Sequence, residues 1–490
     1  MINSIQQFLE YGIPNLQKAT QDYSKNPADF AGFVYKVRDE TLKLALDFIS
    51  ETLNTCNQII KDNPKRLEEW EIVRTDEKTL ITSIGSVRFQ KTLFRNKSTR
   101  TTRYLIDDLL GFESHERISE DAQAQLLTEC VETSYRKAGE TVSILDKVSK
   151  QTVKKKIHSL RFPAEKTHRG RKRNVKYLYI EADEDHISLQ FQNKKGDLET
   201  SESGRKLNGM INKLVYVHEG IEPESPGSKR HRLIKPHYFA GAYEGKANAE
   251  LWDEVYEYIE NNYDIDYIRR IYISADGGMW IKSGRKRISG LVYALDGYHL
   301  NQCILKMTGH MLDSAEEARE MICHTIKKGT REDFISVTDK LLFYATDEKE
   351  ENRILESRDY ILDNWSAAKV RLTDRSAAGS STEGHVYHVL SSRMSTLAMG
   401  WSRTGADKMA RLRAYRYNKS NMLDLVRYQK ESLPKAAGSE ETADIISDVK
   451  RTQYNHPEWG KYVDAAQVEL SAEMKKWMSI GLHSYLWTLF

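Results

Sequence analysis

Residues 175–191 read VKYLYIEADEDHISLQF, an apolar run that passes into a cluster of acids. Tyr, Ile, Val and Leu favour extended chain, and the absence of Gly and Pro lets it continue unbroken, so the segment predicts a strand with acids near its end. Asp183 and Asp185 fall on one face by the strand period of two, and either one suits the role of ligand. Outward from this stretch, NKLVYVHEG (212–220) and RLIKPHYFAGAY (232–243) predict two further strands, and ANAELWDEVYEYIENNY (247–263) an amphipathic helix. IRRIYISAD (268–276) and GLVYALD (290–296) then read as buried strands. The element order is β-β-β-α-β-α-β.

That order predicts an α/β domain with a mixed sheet and helices on both faces, and it matches the core of a ribonuclease-H-like domain; order alone leaves a generic α/β sheet open. Such sheets place their chemistry at strand ends. The first strand delivers Asp183. The fourth delivers Asp276, followed by two glycines that let backbone or a phosphate approach closely. The fifth delivers Asp296 and, beyond it, His299. Much later, Ser381 or Thr382 is placed to cap a helix with Glu383 in its first turn. Any one of these acids is more often a cap or a surface group. Together, two aspartates on adjacent strands and a glutamate from a later helix suit two hard divalent cations, the arrangement that phosphodiester chemistry needs.

The whole chain has 490 residues, 39% hydrophobic and 30% charged, with a mean hydropathy of −0.63. These values predict a large water-soluble protein of about three domains. The cysteines at 56, 130, 303 and 323 form no CxxC pair, which argues against a disulfide framework or a cysteine-rich zinc site. No bilayer-length apolar stretch occurs, and MINSIQQFLEYGI has no basic region before an apolar core, so a cytoplasmic location and no membrane partner are expected. Lys plus Arg (74) nearly balance Asp plus Glu (71), but the charge is uneven. Between Asp146 and Lys176 twelve Lys and Arg stand against two acids, a patch suited to a polyanion.

Residues 30–53 have helical spacing, and Ile81 to Leu105 suggest a small β-hairpin. Helices are expected from about Glu120, Ser134 and Ser149, the last carrying Lys150, Gln151, Lys154 and Lys155 on its outer face. This reads as a helix-turn-helix entering a DNA groove, or as an ordinary three-helix bundle; the adjoining basic segment, with Arg169, Arg171, Lys172 and Arg173, favours DNA. Arg285 in the basic KSGRKR cluster and Arg393 and Arg403 downstream of Glu383 are candidate phosphate contacts. Trp280 and Trp401 suit base stacking, though packing is the commoner fate of tryptophan. His385 and His388 follow Glu383 in an HxxH spacing, but no further His or Cys supports zinc.

At YIEADEDHISLQ, ISADGGMWI, ALDGYH, and STEGHVYHVLSSRM followed by MGWS, the chain resembles the Mutator-type bacterial insertion-sequence transposases, and within them the ISLre-type group. The resemblance spans essentially the whole chain. It implies a DDE transposase with Asp183, Asp276 and Glu383 as catalytic metal ligands for Mg²⁺ or Mn²⁺, two ions in all. It further implies a D(2)H motif at Asp296 and His299 beside the site, and an all-helical insertion between the fifth strand and the glutamate helix. The expected organisation is a helical N-terminal region with a hairpin (1–115), a DNA-binding segment and basic linker (116–175) and the first part of the ribonuclease-H-like core (176–300). The helical insertion (301–375), the glutamate helix and following segment (376–430) and a helical C-terminal tail (431–490) complete it. The expected activity is cleavage at element ends and transfer of the 3′-hydroxyl into target DNA by a homodimer or larger homo-oligomer at the bacterial nucleoid. A metal-dependent nuclease without strand transfer and a non-catalytic DNA-binding regulator are the rival readings.

Overall fold

The computed structural model describes residues 3–113, 115–164, 170–191, 200, 208–377, 381–397, 399–431 and 439–454, and the side chains of all of these except 285, 439–441 and 452–454. The chain divides into two compact units, one of residues 1–126, 139–149 and 430 onward, the other of 127–138 and 150–429.

In the first unit a long helix, α1 (Phe30–Asp62), is capped by Asp29, whose Oδ1 accepts from Gly32 N at 3.0 Å. It covers an antiparallel hairpin of β1 (Trp70–Ile81) and β2 (Ser86–Asn96). The hairpin begins well before Ile81, where the sequence pattern suggested it. Ile72 and Val73 are adjacent and both exposed at a register shift, and four of the five residues 74–78 are charged, so no apolar alternation announces the strand. Trp70, Phe89, Phe94 and Ile60 form the core, joined by Ile445 and Val449 of the helix Ser439–Tyr454. The tail beyond residue 454 lies outside the described residues.

In the second unit, α2 (Lys150–His158) opens where the sequence placed its third helix and buries Val153 and Ile157. The strands β3 (Tyr177–Ser188), β4 (Gly209–His218) and β5 (His237–Gly241) precede α3 (Ala247–Asn262), and β6 (Arg270–Ala275) and β7 (Leu291–Leu295) follow. All five expected strands form one mixed sheet in the order β7-β6-β3-β4-β5. β3 pairs antiparallel with β4 and parallel with β6 (Tyr179 opposite Tyr272); β5 lies antiparallel to β4, and β7 parallel to β6. The third expected strand is shorter than the sequence suggested, because Pro236 separates the short strand His231–Leu233 from β5. Trp252, Val255 and Ile259 of α3 recur at helical spacing and pack with Leu178, Ile180 and Ile273 of the sheet.

After β7 come α4 (Gly297–Thr308), α5 (Ala315–Lys328), α6 (Arg331–Phe343), α7 (Glu348–Asp363) and α8 (Trp365–Thr373). They bury their own apolar cluster, with Ile322, Ile326, Phe334, Ile354 and Ile361 at its centre. Then α9 runs from Thr382 to Val386, passes through a π-helical turn at Tyr387–Ser391 and ends at Ser392–Met394. Helix α10 (Arg403–Tyr417) follows. Residues 127–138 belong here because the buried guanidinium of Arg413 on α10 donates to the Val131 carbonyl, and that of Arg393 to the Cys130 carbonyl.

Candidate active site

The parallel pairing of β3, β6 and β7 brings the C-terminal ends of β6 and β7 side by side next to the acids of β3. Asp183 is half-buried on β3, its Oδ1 accepting from Glu184 N at 2.8 Å. Burial is the main cause that pushes its carboxyl up to about 7; the charges of Asp276 and Glu383 add to it, against the Glu184 amide and His299. The charges of Asp276 and Glu383 thus reach Asp183.

Asp276 follows β6 directly, and Gly277 behind it takes φ +101° where a Cβ would sit 2.8 Å from Asn364 Oδ1. Only glycine satisfies both the backbone and the close approach. The Asp276 carboxylate accepts from Gly278 N at 2.9 Å, and its carbonyl from Tyr360 OH at 2.5 Å, so α7 fixes this strand end.

Asp296 is 2% exposed and caps α4, its Oδ1 accepting from His299 N at 3.0 Å. The same oxygen meets His299 Nδ1 at 3.2 Å, which leaves Nε2 facing Glu383 Oε1 at 3.9 Å. The hydrogen bond to Asp296 is the main cause that raises the His299 pKa, and the charges of Asp296, Asp183 and Asp276 add to it against burial. Asp296 therefore orients His299, and His299 reaches toward Glu383, whose side chain is 57% exposed at the start of α9.

Asp185, the other candidate on β3, is turned to a different task. It is 7% exposed and its Oδ1 accepts from Ser391 Oγ and Ser395 Oγ, each at 2.9 Å. Asp183 is the aspartate whose charge meets Asp276 and Glu383.

Asp183, held beside the charges of Asp276 and Glu383, offers the oxygen-donor chemistry that suits a hard cation, since a divalent ion would relieve the repulsion on it. Among the described residues no group of three or more His, Cys, Asp or Glu stands close enough together to hold a metal ion as placed.

The remaining candidates divide. Lys150, Gln151, Lys154 and Lys155 are exposed on α2, and the first three line a groove of about 600 Å³ with Arg136 and Trp401. Arg171 and Lys172 are exposed. Arg173 was expected in the DNA-binding basic segment but turns inward: it pairs with Glu219 at 2.6 Å and lies 4.2 Å from the Tyr263 ring centroid. Arg393, expected at phosphate, is 4% exposed beneath Trp401, where its guanidinium is covered by protein. Trp401 is 6% exposed and donates to the Met394 carbonyl, so its ring is packed rather than free for a base. Trp280 donates to Glu184 at 2.9 Å, and Arg403 pairs with Glu244 at 3.2 Å. Arg169 and the Arg285 side chain lie outside the described residues.

Sequence reasoning missed Glu181 and Arg413, both about 1% exposed. Glu181 sits two residues before Asp183 on the same strand face, a spacing that was visible in the sequence. Nothing in the sequence distinguishes Arg413 from its basic neighbours.

The family model described as "Uncharacterised protein family (UPF0236)" matches residues 24–431. A UPF0236 protein of Caldanaerobacter subterraneus subsp. tengcongensis is 34% identical over 83% of this chain and 81% of its own, and its name joins eleven locus designations of that strain. A UPF0236 protein of Streptococcus gallolyticus is 22% identical over 76% of this chain and 81% of its own. Among solved structures, a Drosophila P element transposase strand transfer complex aligns with 66% of this chain and 82% of its own at 9% identity. Its TM-score is 0.23, too low to carry an argument. No helix among the described residues is long and apolar enough to cross a membrane. With its family model matched over most of its length and a relative 34% identical along four-fifths of both chains, the protein belongs to the uncharacterised protein family UPF0236.

Proposed function

We propose that this protein is a DDE-type DNA transposase of the ISLre, Mutator-like kind, with a ribonuclease-H-like core interrupted by the helices α4–α8. The observation that carries the proposal is the convergence of Asp183, Asp276 and Glu383. They come from two adjacent parallel strands and a helix far along the chain, and the charges of Asp276 and Glu383 act on Asp183. The mixed sheet, three strands antiparallel and two more parallel to the first, supports the fold assignment. The multiplicity of loci in the name of the Caldanaerobacter relative supports mobile DNA, since a sequence that copies itself accumulates in its genome.

Two Mg²⁺ or Mn²⁺ ions held by the three carboxylates would activate the attacking water or 3′-hydroxyl and stabilise the leaving oxygen. The chain's own residues do the rest. Asp296 holds the His299 ring so that Nε2 faces Glu383, where it can donate to that carboxylate or to a phosphate near it. Lys150, Lys154 and Lys155 supply the charge for a DNA backbone. The working form is a homodimer or larger homo-oligomer bound to two element ends in the bacterial nucleoid.

The test is a strand-transfer assay with a labelled duplex taken from the DNA flanking the reading frame, a target plasmid and Mg²⁺ or Mn²⁺. Joined product supports a transposase. Cleavage without joining identifies a nuclease, and binding without either identifies a regulator.

A further inference from the structure

Glu181, Asp183 and Asp185 alternate along β3 and so share one face of the sheet. Only the middle one faces Asp276 and Glu383; the outer two grip α9. Glu181 Oε2 accepts from Ser381 N at 2.9 Å, Thr382 Oγ1 at 2.8 Å and Tyr216 OH at 2.7 Å, and its Oε1 meets His218 Nε2 at 3.1 Å. Asp185 Oδ1 accepts from Ser391 and Ser395 near the other end of α9. The strand therefore holds the residues immediately before Glu383 and again about two turns beyond it.

In a regular α-helix of 3.6 residues per turn, Thr382 and Ser391 would face opposite sides. The wider π turn at Tyr387–Ser391 removes part of that rotation, which lets one strand face hold both ends. Chain connectivity cannot do this, because the covalent path between the two elements passes through all of α4–α8. A carboxylate as buried as Glu181 is tolerated only where donors meet it, and four do so here.

We propose that Glu181 and Asp185 are positioning residues, a two-point clamp that sets Glu383 opposite Asp183 without touching substrate. The proposal rests on the reading of Asp183, Asp276 and Glu383 as the ligand set.

The test uses the full chain with Glu181→Gln, Asp185→Asn and, from the helix side, Thr382→Val, which removes one of the same bonds should Glu181→Gln fail to fold. Hydrogen exchange of residues 381–395 and Mn²⁺ uptake followed by electron paramagnetic resonance are read on the same preparations. The clamp predicts that exchange rises at least tenfold in 381–386 for Glu181→Gln and Thr382→Val, and in 391–395 for Asp185→Asn. Exchange in α3 should not change, and the half-saturating Mn²⁺ concentration should rise at least tenfold. A lower melting temperature with unchanged local exchange and unchanged Mn²⁺ uptake per folded molecule would overturn it. If the unaltered protein takes up no Mn²⁺ while exchange still rises locally, the ligand reading falls and the clamp of strand on helix stands.

Discussion

Replacing Asp183 by Asn should stabilise the metal-free protein at alkaline pH. The carboxyl is pushed up to about 7, chiefly by burial and then by Asp276 and Glu383, whereas an ordinary aspartate titrates at 3.8. In the folded state it therefore keeps a proton that the unfolded chain has already released, so stability falls as pH rises from about 4 to about 7 and stays low above that. At 1.36 kcal/mol per pH unit the gap is worth at most about 4 kcal/mol. Asn keeps the volume and can still accept from the Glu184 amide, but it has no charge to desolvate. At roughly 2–4 °C per kcal/mol for a unit of this size, the variant should melt on the order of 5–10 °C higher at pH 8.5 in EDTA. At pH 5 the difference should shrink to less than half. Added Mn²⁺ should raise the melting temperature of the unaltered protein and narrow the gap, because the ion performs the same neutralisation. Calorimetry at both pH values decides the matter. A variant that melts at or below the unaltered protein at pH 8.5, or a difference independent of pH, would refute the electrostatic argument.

His299→Ala should lower cleavage roughly 10- to 100-fold with its dependence on Mg²⁺ retained, since the ring lies beside Glu383 and is held by Asp296. Normal single-turnover cleavage with a lowered melting temperature would assign the pair to the turn alone. Lys154→Ala combined with Lys155→Ala should weaken DNA binding and flatten its salt dependence by about two phosphate contacts; an unchanged slope in a binding titration would remove α2 from the interface. Arg413→Met should cost about 3–5 kcal/mol in denaturant unfolding, because it strips a buried cation from the carbonyls of Val131, His388 and Val389. A loss below about 1 kcal/mol would show that water or a neighbour takes its place.

The sheet was legible because each of its strands is a compact apolar run, and the acids stood out because they end those runs. The hairpin start at Trp70 was hidden because a register shift exposes Ile72 and Val73 side by side and charged residues follow, which breaks the alternation a strand would show. Arg173 and Arg393 look like any other basic residue in the chain; only the folded contacts show one stacked on Tyr263 and the other sealed under Trp401. The choice between Asp183 and Asp185 could not be made from their spacing, since both share a strand face. It needed Ser391 and Ser395, which lie some two hundred residues away. Glu181 shows the same limit, because an acid committed to a helix start reads in sequence like an acid awaiting a metal.

The most direct test of the account compares the unaltered protein with Asp183→Asn, Asp276→Asn and Glu383→Gln. Mg²⁺-dependent cleavage of a labelled duplex from the DNA flanking the reading frame is measured at equal DNA occupancy. The account predicts cleavage by the unaltered protein and a loss of at least a thousandfold in each variant, with DNA binding kept, because each change removes a charge and little volume. Cleavage that survives in any of the three variants, or that proceeds equally well in EDTA, would contradict it.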